Sequence, residues 1–163
     1  MNPIRVRVLR RALILCITIG LAEVTSAQEP AGICFLTVAK SQGSGNPERK
    51  NYVINDKAEW EELWEKVVAN VSPKPPLPEI DFTRRTIIAA FEGSQPSGGF
   101  EITITNIVST QGHIQVAVKE LLGACVAPGI VTKPFHIVEV DKLDPAAIEF
   151  TLKQKVKKCA GNQ

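Results

Sequence analysis

Between Ile87 and Ile104 the chain changes its hydrophobic rhythm twice. Ile87-Ile88-Ala89-Ala90-Phe91 is a continuous apolar run, and Glu92-Gly93-Ser94-Gln95-Pro96-Ser97-Gly98-Gly99 is polar and rich in turn formers. Phe100, Ile102 and Ile104 then alternate with Glu101 and Thr103. Continuous apolarity suits a strand covered on both faces, whereas strict alternation suits one covered on a single face. Pro96 fixes one backbone angle and Gly98-Gly99 allow positive φ, so the chain is expected to reverse here as a β-hairpin with a glycine-rich tip. No catalytic group lies in it, and the strongest local signal is architectural.

Other segments extend the β pattern. Ile33 to Val38 and Tyr52-Val53-Ile54 are short and β-prone, and Ile114, Val116 and Val118 alternate with Gln115, Ala117 and Lys119. Phe135 to Val140 is rich in β-branched residues, and Ile148, Phe150 and Leu152 alternate again. One helix stands out. Asp56 followed by Glu59 resembles a capping box, and Trp60, Leu63, Trp64 and Val67 fall at i, i+3, i+4 and i+7. Tryptophans at that spacing beside Leu63 and Val67 read as core, with Glu59, Glu61, Glu62 and Glu65 on the solvated face. Pro73 to Pro78 reads as a stiff connector from helix to sheet. Short connections favour antiparallel neighbours. The expected fold is α+β: a mainly antiparallel β-sheet with one early amphipathic helix packed on it, in a single domain.

Residues 1–27 read as a secretory signal peptide. Arg5, Arg7, Arg10 and Arg11 precede the apolar segment Ala12 to Leu21, and Thr25-Ser26-Ala27 offers small residues for cleavage. An apolar segment of about ten residues is well short of the roughly twenty that a spanning helix needs. Leu15 before Cys16 is a poor lipoprotein signal, so lipid anchoring is disfavoured. Cleavage would remove four Arg and Glu23, turning 19 basic and 17 acidic residues (+2) into 15 and 16 (−1). The weak basicity belongs to the targeting segment, and nothing favours nucleic acid or an anionic membrane as partner. The expected location is periplasmic or secreted. Three cysteines remain in an oxidising compartment. Cys34, in an apolar run, reads as a buried thiol; Cys125, in a Gly/Pro loop, and Cys159, in the polar tail, form the candidate disulfide.

The search for chemistry finds little. The two histidines are His113, read as a solvated turn residue, and His136, within a strand as a surface residue or a core residue with one hydrogen bond. Ser94 and Ser97 lack the strand-to-helix elbow that exposes a serine nucleophile. There is no Cys-x-x-Cys, no His-x-x-x-His and no EF-hand loop, and the glycines do not open a helix as a phosphate cradle would. The sequence implies no metal, no cofactor and no enzymatic activity.

Four features taken in order carry a family resemblance. Ala58-Glu59-Trp60-Glu61-Glu62-Leu63-Trp64 comes first, then Pro78-Glu79-Ile80-Asp81-Phe82 leading into the apolar run Ile87 to Phe91. Pro96-Ser97-Gly98-Gly99-Phe100 follows that run, and finally comes Thr132-Lys133-Pro134-Phe135-His136-Ile137-Val138. Together they resemble the C-terminal domain of the PrcB family, the protease complex subunit proteins of bacteria, over roughly Glu48 to Val140. The resemblance implies an exported, non-catalytic accessory protein that assists maturation or assembly of a secreted or surface protease, with no catalytic residues to carry over. A protease inhibitor and a generic extracytoplasmic binding domain are the alternatives. Residues 28–47 are then an N-terminal strand and loop, 48–155 the domain and 156–163 a polar tail. Gln95, Pro96, Ser97, Gly98, Gly99 and Phe100 form the candidate partner-binding loop, with the 124–129 loop as a second contributor.

Overall fold

The computed structural model describes residues 29–123 and 129–157. The segment read as a signal peptide, Cys125, Cys159 and the residues beyond Lys157 lie outside the described residues. Strands β1 (Ala31–Gly32), β2 (Phe35–Ser41) and β3 (Arg49–Ile54) precede helix α1 (Lys57–Val67). Strands β4 (Arg85–Glu92), β5 (Glu101–Thr110), β6 (His113–Gly123), β7 (Phe135–Asp141) and β8 (Ile148–Lys157) follow, with a 3-10 turn at Pro145–Ala147 before the last.

The fold is α+β and mostly β, but the strands divide into two four-stranded sheets rather than one. The first runs β1-β5-β6-β8 and the second β2-β7-β4-β3. The hairpin expected between Ile87 and Ile104 therefore does not form: β4 lies in the second sheet, β5 in the first, and the Gly/Ser/Pro segment crosses between them. The change of rhythm was real, but it marks a change of sheet. Most pairings are antiparallel, as expected, with one exception. β6 and β8 pair in parallel, because the chain visits β7 in the other sheet between them.

Residue periodicity explains the layers. Along β4, Ile87, Ala89 and Phe91 face the helix, while Ile88 and Ala90 face the first sheet. β7 does the same, with Phe135 and Ile137 on one side and Val138 and Val140 on the other. These central strands are covered on both faces, which is why their sequences are almost continuously apolar. One core is made with Trp60, Leu63, Trp64 and Val67 of α1, and the other with Ile102, Ile104, Ile107, Ile114, Val116 and Val118 of the first sheet. The helix begins as expected: Asp56 accepts from the Glu59 N–H at 2.9 Å. The proline-rich connector folds back against it, with the Pro78 carbonyl accepting from Trp60 Nε1 at 3.0 Å.

Two expectations about single residues need correction. Cys34 is exposed, not buried, because it lies between β1 and β2 where the chain passes from one sheet to the other. His136 is a core residue with two hydrogen bonds rather than one.

Candidate functional site

The strand directions bring three connecting segments to the same end of the molecule. Residues 42–48 lead from β2 to β3, 93–100 from β4 to β5, and 129–134 into β7. The first is anchored on the helix. The Gly45 N–H donates to the Val67 carbonyl at 2.9 Å, and a Cβ at Gly45 would lie 2.3 Å from the Lys66 carbonyl oxygen. Ser44 and Asn46 are buried and turn the chain, with Ser44 Oγ accepting from the Asn46 N–H and Asn46 Oδ1 from the Glu48 N–H.

The second and third segments are laced together. The Gln95 N–H donates to the Thr132 carbonyl at 2.7 Å, and the Thr132 N–H donates back to the Gln95 carbonyl at 3.1 Å. Thr132 Oγ1 donates to the Ser97 carbonyl at 2.8 Å, and the Glu92 N–H donates to the Pro134 carbonyl at 3.0 Å. The Lys133 N–H reaches the Gln42 carbonyl at 2.8 Å, tying in the first segment. Gly93 has φ +77°, and a Cβ there would meet the Arg49 backbone nitrogen at 3.0 Å, so this position requires glycine. Thus Pro96-Ser97-Gly98-Gly99-Phe100 and Thr132-Lys133-Pro134-Phe135, far apart in sequence, form one structure.

The candidate binding loop is partly withdrawn from solvent. Pro96 is exposed, Ser97 is buried, and Gln95, Gly98, Gly99 and Phe100 are half-buried. Gly98 and Gly99 lie against Gly123, whose Cβ position would be 2.9 Å from the Gly98 carbonyl. The most exposed large apolar side chains at this end are instead Ile130 and Val131, 64% and 65% exposed, with Val71 at 42%. Val131 also borders a cleft of about 410 Å³ shared with Gly43, Gly45, Asn70, Val71 and Lys133. Ile130 and Val131 escaped the sequence reading, although an apolar pair between Pro128-Gly129 and Thr132 was a usable signal. Of the loop at 124–129, only Gly129 lies within the described residues.

Beneath the loops, two carboxylates face each other across the sheets. Glu92 ends β4 on its inward-facing side and Glu120 lies in phase with Val116 and Val118 of β6; each is 1% exposed. Glu120 Oε1 accepts from Arg49 at 2.5 Å and its Oε2 from Gln154 at 2.9 Å. Neither oxygen of Glu92 has a hydrogen-bond partner among the described residues. Burial, and then the nearby Glu120 charge, push the Glu92 carboxyl up to about 7, against a smaller opposing pull from Arg49. This pair was also missed by sequence reading. No group of three or more His, Cys, Asp or Glu able to hold a metal ion occurs among the described residues.

The histidines are placed differently from one another. His113 is exposed at the start of β6. His136 accepts at Nδ1 from the Ile104 N–H at 2.9 Å, which puts its proton on Nε2, facing Thr37 Oγ1 at 3.0 Å. Both ring nitrogens are thus engaged, Nδ1 in joining the two sheets and Nε2 in joining β7 to its neighbour β2. Burial, with a contribution from the Lys40 charge, lowers its pKa to about 4, against a smaller opposing effect of Glu101.

Residues 86–141 match the PrcB C-terminal family model. That span runs from the second residue of β4 to the last of β7, the two central strands of each sheet. It contains both the Pro96-Ser97-Gly98-Gly99-Phe100 crossing and the Thr132-Lys133-Pro134-Phe135 segment, so the resemblance to the PrcB family stands on these two of the segments that carried it. It is narrower than expected: β3, α1 and the proline-rich connector fall outside it. No curated protein and no solved structure matches the chain.

Proposed function

We propose that this protein is an exported, non-catalytic accessory domain that binds a protease through its loop end. The observation that carries the reading is the union of the two PrcB-type segments, through Gln95, Ser97 and Thr132, beside the exposed pair Ile130 and Val131. Polar connections braced by backbone hydrogen bonds form a rigid frame, and exposed aliphatic side chains on such a frame favour docking to another protein. The engagement of both His136 nitrogens counts against this residue as a general base. The buried Ser97 and half-buried Gly98 and Gly99 favour a docking surface over an inhibitory loop that must project into an active site.

The test is co-purification of the tagged chain with an exported protease of the same cell, scored with its proteolytic activity. Replacing Ile130 and Val131 together by Asp should leave the melting temperature unchanged and weaken capture by about tenfold or more, the scale of a lost apolar anchor. Protease activity or maturation should fall when the chain is deleted. Activity that rises on deletion would replace the accessory reading by an inhibitory one. Undiminished capture by the double variant would remove the loop end as the docking surface.

A further inference from the structure

Strand β8 borders the first sheet with an edge that the loop-end surface does not use. It pairs with β6 in parallel, from Ile114↔Ile148 to Gly123↔Lys157, and has no strand on its other side among the described residues. In a parallel ladder alternate residues turn both backbone groups to the same side, so β8 holds a row of N–H and C=O groups outward. Its two faces differ in chemistry. On the inner face Phe150 is half-buried against the core, but Leu152 and Val156 are 49% and 59% exposed. On the opposite face Lys153 and Lys155 are exposed, and Lys153 pairs in register with the equally exposed Lys119 of β6.

None of these three lysines is in an ion pair among the described residues. Like charges directly opposite on one sheet face repel, and an anionic side chain laid beside them would relieve that repulsion. We propose that the outer edge of β8 accepts, as an added strand, an extended acidic segment of a partner protein. Its carboxylates would lie beside Lys153 and Lys155 and its apolar residues beside Leu152 and Val156. Backbone pairing supplies affinity in such an arrangement, and the alternating side chains supply selectivity. A second copy of this chain is the wrong occupant, because edge-to-edge pairing would set two lysine rows against each other. The proposal stands independently of the loop-end surface and does not require the partner to be a protease.

The experiment uses the full chain and two labelled synthetic peptides, one alternating valine with glutamate and one alternating valine with lysine. Fluorescence anisotropy should show the glutamate peptide binding about tenfold or more tightly than the lysine peptide, with an affinity that falls as salt rises. Amide hydrogen exchange should slow along β8 when the glutamate peptide is bound. The double variant Lys153→Glu, Lys155→Glu, checked for unchanged folding by circular dichroism, should reverse the preference. Equal binding of the two peptides, no binding, or binding that leaves β8 exchange unchanged would overturn the proposal. So would sedimentation showing that the chain dimerises and that the charge-reversal variant does not.

Discussion

The imidazole of His136 accepts a hydrogen bond from the backbone N–H of Ile104, joining the central strand β7 of one sheet to β5 of the other. β5 has a register shift between Ile104 and Asn106, and β1 pairs with it only near Val108 and Ser109. The Ile104 N–H would otherwise be a buried donor at a strand edge. Protonating His136 would place a second donor against it.

That arrangement predicts how stability depends on pH. The unfolded chain takes up a proton on His136 near 6.5, whereas the folded chain does so only near 4. Over that window the unfolded state holds more protons, so the contribution of His136 to stability is lost as pH falls from 6.5 towards 4, by at most about 3 kcal/mol. Lys40, paired with His136 in the β2–β7 register and bonded to Glu101, contributes to the same direction. His136→Asn keeps an acceptor near Nδ1 and should remove this slope. The check is urea unfolding at several pH values between 4 and 7, and a variant profile that runs parallel to the parent's would assign the effect elsewhere.

Glu92 acts with the opposite sign. Its pKa rises from 4.5 to about 7 on folding, so the folded state holds more protons across that window and stability falls as pH rises, again by at most about 3 kcal/mol. Where the windows overlap the two effects offset, and the parent protein should show a nearly flat profile between pH 4.5 and 6.5. Glu92→Gln should be more stable than the parent at pH 8 and expose the rising His136 slope. His136→Asn should expose the falling Glu92 slope. Parallel profiles for parent and both variants would show that neither group titrates as described.

These two residues also show how far the sequence could be read. Alternation and apolar runs located the strands and the buried stripe of α1, because burial on one or two faces leaves a direct mark on composition. The apolar run before Glu92 correctly indicated a strand covered twice. What composition did not encode was the partner of each face, so a change of sheet between Phe91 and Ile102 read as a hairpin. The carboxylate pair shared that fate: Glu120 continues the inward phase of Ile114, Val116 and Val118, but its nearness to Glu92 exists only once the two sheets stack. Thr132 and Ser97 meet for the same reason, through sheet topology that no local window contains.

Gly45 offers a test of the loop anchor. Its missing side chain lets the 42–48 segment lie on the end of α1, where a Cβ would meet the Lys66 carbonyl at 2.3 Å and Ala69 Cβ at 2.7 Å. The closest contact is backbone and cannot rotate aside. Gly45→Ala should destabilise the fold by about 1–3 kcal/mol, the usual scale for overpacking, and displace the loop from the helix. Gly43, with nothing within 4 Å of its Cβ position, is the control: Gly43→Ala should change the melting temperature little. Equal effects at the two positions would mean that the loop does not rest on the helix.

The two tryptophans of α1 make a final comparison. Their rings lie 5.4 Å apart and both are buried, but only Trp60 has its indole N–H bonded, to the Pro78 carbonyl. Trp64 Nε1 is buried without a partner among the described residues. Replacement by Phe removes a similar volume at each site, so the packing losses are comparable. Trp60→Phe additionally leaves the Pro78 carbonyl unpaired and frees the connector, whereas Trp64→Phe removes a polar group whose burial already costs stability. Trp60→Phe should therefore be the more destabilising by about 1–2 kcal/mol in chemical unfolding. It should also raise protease susceptibility between Pro73 and Pro78. A larger loss for Trp64→Phe would show that the connector is not held by the indole hydrogen bond.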